Sequence, residues 1–357
     1  MRASKTAEAL PRVSLLLPNR NNEPALDIVL ERLATNTTYP DFELIAVDDG
    51  STDASRDVLR RWRDSGRFDR FTLLECEHRG VVATLNTALE HASGEIMVQL
   101  DADASIETRG WLERMVGFYR SDERIGVVCG RVIMDDGRIH AYGLNVVGPD
   151  GMHDRGTKIA EPAGARTLHS VVERPRETEV RHLERYAEVD AALGCCMMYS
   201  KDLAQQIGGY DLEWSPVWFD DMDIALSARK FGKKVFFCPE VRVLHRLSLR
   251  NSRAAGSPAA RARTRARRAL GRVVPQAGKD LIIRAAKLNK MPPDKVALLD
   301  HHYAYWREKW GFDALNPDMD SVLSRWGDTE VCWAFDAERR HAGEEIIAAY
   351  ERELAVG

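Results

Sequence analysis

Short, almost continuously apolar runs alternate with patterns of helical period over the first hundred residues. Strands are predicted at 13–17, 42–47, 71–75 and 95–100, with helices between them at 24–35, 53–65 and 80–91. Strands that alternate with helices are typical of βαβ units and a parallel sheet. Because the strands carry apolar residues at nearly every position, we expect helices to cover both faces of that sheet.

The pattern becomes less regular after a predicted helix at 110–120. Strands are predicted at 126–134, 143–147, 189–199, 234–237 and 241–244, with a long loop at 148–180 and a helix at 221–231. These pieces indicate a mixed sheet in the second part of the chain. Beyond residue 275, helical patterns at 278–289, 294–310 and 336–353 predict a helical C-terminal extension.

The composition is that of an ordinary globular protein, with 44% hydrophobic and 30% charged residues. The residues before Val13 lack the apolar run of a signal peptide, and the longest apolar runs are far shorter than a membrane-spanning helix. We therefore expect a cytoplasmic protein. The six cysteines form no CxxC pair, so reduced and mostly buried thiols are expected.

An Asp-x-Asp motif follows the fourth predicted strand. Asp101-Ala102-Asp103 comes directly after Leu100, and open α/β sheets bind ligands beyond the carboxyl ends of their strands. One or two carboxylates together with substrate phosphate oxygens commonly hold Mg²⁺. The same spacing recurs at 221–223 and 318–320, so only its position after a strand distinguishes the first copy.

A pair of adjacent acids, Asp48 and Asp49, ends another apolar strand. A cap on the following helix explains Ser51 or Asp53, but it does not explain two neighbouring carboxylates. Acidic residues at this place in dinucleotide-binding folds accept hydrogen bonds from ribose hydroxyls. The pair is therefore a candidate for nucleotide binding.

A third acidic cluster, at 218–223, begins a predicted helix with the sequence WFDDMD. Acids in a first helical turn complement the helix dipole, which accounts for Asp220 and Asp223. A carboxylate between large aromatic residues also suits a general base, and the motif alone does not decide between the two roles. His245 suits a metal site only if it approaches Asp103, because carboxylate and imidazole together favour Mn²⁺ or a similar ion.

In their order and spacing, these segments resemble glycosyltransferase family 2 over about two thirds of the chain. The resemblance rests on Val13–Pro18, Phe42–Ser51, Gly94-Glu95 before the Asp-x-Asp turn, Gly208–Asp211, Asp220–Asp223 and Val243–His245. It implies a GT-A fold, an α/β architecture in which a Rossmann-like mixed sheet is flanked by helices. The implied catalytic domain spans 1–246, with a nucleotide-binding half at about 13–103 and an acceptor half at about 104–246. An Arg-rich loop or helix at 247–275 and a helical extension at 276–357 follow.

The same resemblance implies a reaction. Members move a sugar from a nucleoside-diphosphate sugar, here expected to be UDP-linked, to an acceptor hydroxyl with inversion at the anomeric carbon. The implied cofactor is Mn²⁺ or Mg²⁺. The expected acceptor is a carbohydrate, a lipid-linked molecule or a peptide, in the synthesis of cell-surface polysaccharide or another glycan. A nucleotidyltransferase is the alternative enzyme, but the Gly-rich loop typical of that class is missing at 18–22.

Residue roles follow from the resemblance as well. Asp221 is the implied general base, and Asp103, His245 and Asp101 are the implied metal ligands. The implied nucleotide-sugar contacts are Pro18, Asp49, Asn86, Asp101 and Arg246. The chain departs from the family pattern at Leu85, where a basic residue often precedes the Asn, and at Ser227, where Arg is common.

The basic segment after the last predicted strand has several interpretations. Between Glu240 and Asp280 the chain has ten arginines, one lysine and no acidic residue. The segment is a solvated basic loop, or it neutralises the donor diphosphate through Arg246 or Arg250, or it attracts anionic lipids at the inner face of the membrane. Binding to nucleic acid is not expected, because the segment lacks the interleaved aromatic residues that stack on bases.

Overall fold

A computed structural model describes most of the chain. The described residues are 10–146, 152–154, 158–159, 171–173, 176–179, 184–246, 293–314, 324–326 and 337–356. The predicted Arg-rich segment at 247–275, the helix predicted at 278–289 and most of the loop predicted at 148–180 lie outside them. Within the described part, no helix is both long and apolar enough to cross a membrane.

The secondary structure follows the predicted order, with some additions. The strands are β1 (Val13–Asn19), β2 (Phe42–Asp49), β3 (Phe71–Cys76), β4 (Ile96–Leu100), β5 (Ala104–Ile106), β6 (Ile125–Met134), β7 (Ile139–Ala141), β8 (Leu144–Val146), β9 (Met152–Asp154), β10 (Lys158–Ile159), β11 (Val171–Glu173), β12 (Ala187–Val189), β13 (Cys196–Ser200) and β14 (Lys234–His245). The helices are α1 (Glu23–Asn36), α2 (Ser55–Asp64), α3 (Val81–His91), α4 (Trp111–Tyr119), α5 (Lys201–Ile207), α6 (Asp220–Lys230), α7 (Pro293–Trp310) and α8 (Ala337–Val356).

The predicted parallel sheet is confirmed in the first half of the chain. Its strands lie in the spatial order β4, β1, β2, β3, and every neighbouring pair is parallel. All residues of β1 and β4 are buried, since both faces of the sheet are covered. Leu15 and Leu17 point into one hydrophobic core and Leu16 into the other, as the alternation of side chains along a strand requires.

The predicted mixed sheet is also confirmed in the second half. Strand β13 runs antiparallel between β4 and β6, and β14 lies beside β6 in the parallel direction. The short β12 pairs antiparallel with β14. This α/β architecture, one mixed sheet with helices on both faces, agrees with the predicted fold class.

Two predicted strand boundaries were wrong. The strand predicted at 189–199 is divided into β12 and β13, because residues 190–195 lie outside both strands; all of them except Leu193 are buried. Their apolar character reflects burial in a turn. Conversely, the strands predicted at 234–237 and 241–244 form one strand, β14, whose register shifts between Phe237 and Arg242. Pro239 lies in this interval and cannot donate to the ladder, which is why such residues occur at bulges.

Most of the short strands were not predicted; β8 is an exception, because it lies within the strand predicted at 143–147. β5 and β7 have three residues each, and β8 with β9 and β10 with β11 form separate two-stranded sheets. Three residues are too few for an alternating pattern to stand out. β5 matters most for the site, because it pairs with the end of β14.

Two of the three predicted C-terminal helices, those at 294–310 and 336–353, are confirmed as α7 and α8. Trp306 and Trp310 of α7 belong to the core that contains Trp214 and Phe219. Ile346 and Tyr350 of α8 belong to the opposite core, where the Tyr350 ring contacts Phe118 and Tyr186. Both helices therefore pack directly on the α/β unit.

Candidate active site

The pairing of β5 with β14 brings Asp103 and His245 together. In the register of this pair, His245 lies opposite Ala104, and the backbone N–H of Arg246 donates to the carbonyl of Asp103 at 2.7 Å. The His245 Nε2 atom lies 3.1 Å from Asp103 Oδ1. Both side chains are buried, with 7% and 2% of their surface exposed.

Asp101 completes this cluster of predicted metal ligands. One ligand atom each from Asp101, Asp103 and His245 lies within 4.8 Å of the others. Two carboxylates and an imidazole suit Mn²⁺ or a similar cation that also binds substrate oxygens. His245 therefore lies close to Asp103, which is the proximity that a role as a metal ligand requires.

Two residues outside the sequence motifs adjoin His245. The Nδ1 atom of His140, on β7, lies 2.9 Å from His245 Nδ1, and Cys195 Sγ lies 3.7 Å from the same atom. Burial, reinforced by the charges of Asp101 and Asp103, raises the pKa of the Cys195 thiol well above its usual value. Neither residue belongs to a recognisable motif, and three-residue β7 left no pattern from which His140 could be placed.

The backbone before α6 is strained at the predicted catalytic cluster. Trp218 and Phe219 have φ angles of 82° and 69°, a region that bulky residues rarely occupy. The Phe219 ring stacks on Trp214 with centroids 5.2 Å apart, which holds the turn in place. Strain of this kind persists only where the surroundings determine it, and it is concentrated at functional sites.

Asp221 is held by two backbone amides. Its Oδ2 accepts a hydrogen bond from the Gly194 N–H at 2.8 Å, and its Oδ1 accepts one from the Met222 N–H at 2.8 Å. Gly194 leaves no room for a side chain, because an added Cβ would lie 2.1 Å from Gln99 Nε2. Gln99 is itself fixed by a hydrogen bond from the Tyr210 hydroxyl at 2.8 Å.

Burial separates the pKa values of the two adjacent acids. It raises the pKa of Asp221 to about 6, with a contribution from the charge of Asp101 against the lowering effect of the two amides. Burial and the neighbouring Asp221 raise the pKa of Asp220 well above its usual value. Of the two, Asp221 is therefore the carboxyl that ionises close to neutral pH.

Asp223 has a different role from the one predicted by its position in a first helical turn. It is 1% exposed, and it accepts hydrogen bonds from Lys309 Nζ at 2.7 Å and Trp310 Nε1 at 3.0 Å. Asp223 therefore joins the acidic cluster to α7. Lys309 and Asp223 are 86 positions apart in the sequence, so no local sequence pattern could predict their contact.

Pro18 and Asp49, the predicted nucleotide contacts, both lie at strand ends. Pro18 is buried near the end of β1. Asp49 accepts hydrogen bonds from the backbone N–H groups of Arg79 at 2.6 Å and Gly80 at 3.0 Å, and its Oδ2 lies 2.6 Å from His78 Nδ1. The His78 side chain is 43% exposed, so it is the accessible member of this group.

Asp48 serves as an internal anchor. It is fully buried and accepts hydrogen bonds from Ser51 N at 2.9 Å, Arg56 Nε at 2.8 Å and Asn19 Nδ2 at 2.9 Å. These bonds fix the turn after β2. Asp48 and Asp49, which the sequence pattern alone did not distinguish, therefore have different surroundings.

The side chains of Asn86 and Arg246, two other predicted donor contacts, bond within the protein. Asn86 exchanges two hydrogen bonds with the backbone of Tyr210, at 2.7 and 2.8 Å. Arg246 donates to Ser105 Oγ at 2.9 Å and Glu107 Oε1 at 3.1 Å. Contact of either side chain with a donor stays a prediction, and for Arg246 it would compete with the Glu107 ion pair.

Comparison with known proteins identifies relatives of the chain. The family model described as Glycosyl transferase family 2 matches residues 14–208, more than half of the sequence. An uncharacterised protein of Sinorhizobium fredii is 27% identical over 248 residues, which cover 68% of this chain and 25% of that protein. The O-antigen biosynthesis protein RfbC of Myxococcus xanthus is 25% identical over 237 residues, which cover 66% of this chain and 17% of that protein. The matches thus span a quarter or less of these relatives.

One solved structure with a similar arrangement is a mannosyltransferase of Pyrobaculum calidifontis in complex with GDP-Man and Mn²⁺. It aligns over 85% of this chain and 88% of that chain, with 21% sequence identity and a TM-score of 0.46.

Proposed function

This chain belongs to glycosyl transferase family 2, and from that premise we propose that it transfers a sugar from a nucleoside-diphosphate sugar to an acceptor hydroxyl, with inversion and with the help of Mn²⁺ or Mg²⁺. Membership of the family makes the chain a glycosyltransferase and sets aside the nucleotidyltransferase alternative. The finer proposal depends on one observation. Asp221 is a carboxyl with a pKa of about 6, and the charge of Asp101, a member of the metal-ligand cluster, contributes to that raised pKa.

The donor atoms of the cluster fit a hard divalent cation. Asp101 and Asp103 offer carboxylate oxygens, and His245 offers an imidazole nitrogen, a set that leaves coordination positions for phosphate oxygens. A bound cation supplies positive charge that stabilises the leaving nucleoside diphosphate. The buried contact between Asp103 and His245 holds these two ligands in a fixed relative orientation.

Asp221 has the properties expected of the base. The two backbone amides that donate to its oxygens fix the orientation of the carboxylate. Because its pKa is raised, Asp221 is a stronger base towards the proton of an attacking hydroxyl than an ordinary aspartate is. Removal of that proton lets the acceptor oxygen attack the anomeric carbon as the bond to the diphosphate breaks. A single displacement of this kind inverts the anomeric centre.

The donor and acceptor are proposed from the family resemblance. Asp49 and Pro18 are proposed to line the pocket for a uracil-like base, and the acceptor is proposed to be a growing cell-surface polysaccharide or another glycan. The name of the Myxococcus xanthus relative, an O-antigen biosynthesis protein, supports that acceptor class. A screen of UDP-, GDP- and dTDP-sugars with Mn²⁺, measuring release of free nucleotide, identifies the donor. Release from the GDP-sugars alone would refute the UDP assignment.

Replacement of Asp221 tests the base. Asp221→Asn is expected to lower kcat by about 10²- to 10⁴-fold, the usual contribution of a general base, while donor affinity measured by calorimetry changes little. The matched control is Asp202→Asn, which makes the same change at an exposed position in the first turn of α5. An Asp221→Asn enzyme that transfers sugar at the normal rate would exclude this residue as the base.

Removal of divalent ions tests the metal site. EDTA is expected to abolish transfer and added Mn²⁺ to restore it, because the proposed cation supplies the positive charge that stabilises the leaving nucleoside diphosphate. Asp103→Ala should raise the Mn²⁺ concentration required for half-maximal activity by at least tenfold. Full activity in excess chelator would contradict the metal assignment.

A further inference from the structure

The imidazole of His245 contacts different groups through its two nitrogens. Its Nε2 lies 3.1 Å from Asp103 Oδ1, on the side of the carboxylate cluster. Its Nδ1 lies 2.9 Å from His140 Nδ1 and 3.7 Å from Cys195 Sγ. The donor atoms of His140, Cys195 and His245 all lie within 4.8 Å of one another. The proposed transfer reaction gives no role to His140 or Cys195.

The spacing of the second group is close to that of a tetrahedral metal site. Zinc bonds of about 2.05 Å to nitrogen and about 2.3 Å to sulfur place two tetrahedral nitrogen ligands about 3.3 Å apart and a nitrogen and a sulfur about 3.6 Å apart. The observed separations of 2.9 and 3.7 Å differ from these by a few tenths of an ångström. Small side-chain rotations would therefore complete the coordination.

We propose that His140, Cys195 and His245 form a second cation site, selective for thiophilic divalent ions of the zinc class, which shares His245 with the carboxylate cluster. The ligand set of one sulfur and two nitrogens is the chemical basis of the selectivity. Thiolate and imidazole ligands bind Zn²⁺ far better than Mg²⁺ or Mn²⁺, which prefer oxygen ligands. Three protein ligands leave a fourth position for water.

Binding at this site is a proton exchange without redox chemistry. The Cys195 thiol loses its proton to solvent, and the sulfur lone pair forms the bond to the ion, as for other cysteine ligands of zinc. Asp101 and His140 are both only partly buried, so an ion can enter from the side of the carboxylate cluster.

The shared imidazole makes the two sites antagonistic. A neutral imidazole has one nitrogen lone pair available and one N–H. An ion bound to His245 Nδ1 leaves the proton on Nε2, so that this nitrogen can no longer bind an ion beside Asp103. Zn²⁺ in the second site should therefore weaken Mn²⁺ binding in the first. This consequence rests on the proposed function, whereas the existence of the thiophilic site does not.

Cobalt provides a spectroscopic test that needs no sugar substrate. Titration of the metal-free full chain with Co²⁺ should give a sulfur-to-cobalt charge-transfer band and intense visible bands of tetrahedral cobalt, saturating at one ion per chain and abolished by Zn²⁺. Cys195→Ser and His140→Ala should each lose these bands. The matched controls are Cys76→Ser and His91→Ala, which change residues outside the group. Absence of the bands in the wild-type chain, or their retention in a Cys195→Ser chain that is folded by circular dichroism, overturns the proposal.

An activity measurement tests the antagonism separately. Zn²⁺ should inhibit Mn²⁺-dependent transfer competitively with Mn²⁺, and Cys195→Ser should raise the inhibitory Zn²⁺ concentration at least tenfold. Cobalt bands in a chain without transferase activity would refute the proposed function and leave the thiophilic site in place. Inhibition by Zn²⁺ that is unchanged in Cys195→Ser would refute the shared-imidazole mechanism.

Discussion

Lys309 of α7 forms a link between the C-terminal helices and the acidic cluster at the start of α6. Its Nζ lies 2.7 Å from Asp223 Oδ2 and 2.5 Å from Asp211 Oδ2. Burial raises the pKa of Asp223, and the positive charge of Lys309 opposes that rise. Asp223 lies two positions after Asp221, in the same helical turn. We therefore expect Lys309→Met to affect both stability and catalysis.

The size of the stability effect follows from the burial of the two partners. Removal of one partner from a fully buried ion pair costs about 3–5 kcal/mol. Here Asp223 is 1% exposed, but the Lys309 side chain is 20% exposed, and protonation of Asp223 relieves part of the penalty. A cost of about 2–3 kcal/mol is therefore expected. For 357 residues, an unfolding entropy of about 0.75 kcal/mol/K converts this into a fall in Tm of about 3–4 °C.

Calorimetry and steady-state kinetics provide the assay. Lys309→Met should lower Tm by the stated amount and also lower kcat, because a displacement of about 1 Å in a catalytic group can cost about 10²-fold. The double variant Lys309→Met/Asp223→Asn should recover part of the lost stability, since it no longer buries an unpaired charge. The matched control is Lys295→Met, the same change at an exposed position of α7.

Three results would refute parts of this reasoning. If Lys309→Met melts within about 0.5 °C of the wild type and of the Lys295→Met control, the ion pair contributes little, as for typical surface pairs. If the stability falls but kcat is unchanged, α7 supports the fold without positioning Asp221. Full additivity of the two substitutions would show that Lys309 and Asp223 are not coupled.

Three further predictions concern Asp221 and its surroundings. The kcat/KM of the free enzyme should rise about tenfold per pH unit below the Asp221 pKa of about 6 and level off above it. A flat profile between about pH 5 and 8 would contradict that assignment. Because the pKa is raised in the folded chain, the contribution of Asp221 to stability is present below the ordinary aspartate pKa of 3.8 and is lost as the pH rises through about 6. Gly194→Ala places a methyl group 2.1 Å from Gln99 Nε2, so it should cost about 1–3 kcal/mol and lower kcat. Gly117→Ala, whose new methyl group has a nearest neighbour 3.4 Å away, is the control, and an equal effect of the two changes would argue against a special role for Gly194.

The parallel sheet and its helices were predictable because each element is long enough to show its period. Strand β1, with seven buried residues, and α1, with fourteen residues, are examples. The motif after Leu100 was predictable for a related reason, since a strand that ends in two acids is a local feature. Where the apolar pattern came from burial in a turn, as at 190–195, the same reasoning placed a strand that is not there.

The remaining parts of the site depend on contacts between distant positions. Cys195 and His140 contact His245 across 50 and 105 positions, and nothing near either residue in the sequence indicates a ligand. β5 and β7 have only three residues each, so pairing with longer neighbours determines them. In these cases, tertiary pairing determines where the functional side chains lie, and a local sequence pattern does not encode that pairing.

The surroundings of Asp221, the proposed base, include residues beyond the segment that the family model matches. The family match ends at residue 208, whereas Asp221 and His245 both lie after it. The Gly194 amide holds Asp221 from one side, and two residues of α7 hold Asp223 from the other. Because α7 begins at Pro293, we expect the orientation of the proposed base to depend on a helix more than eighty positions beyond the matched segment. A fragment ending at residue 246 would leave Asp223 without these partners, so we expect it to lose activity even if its sheet still forms.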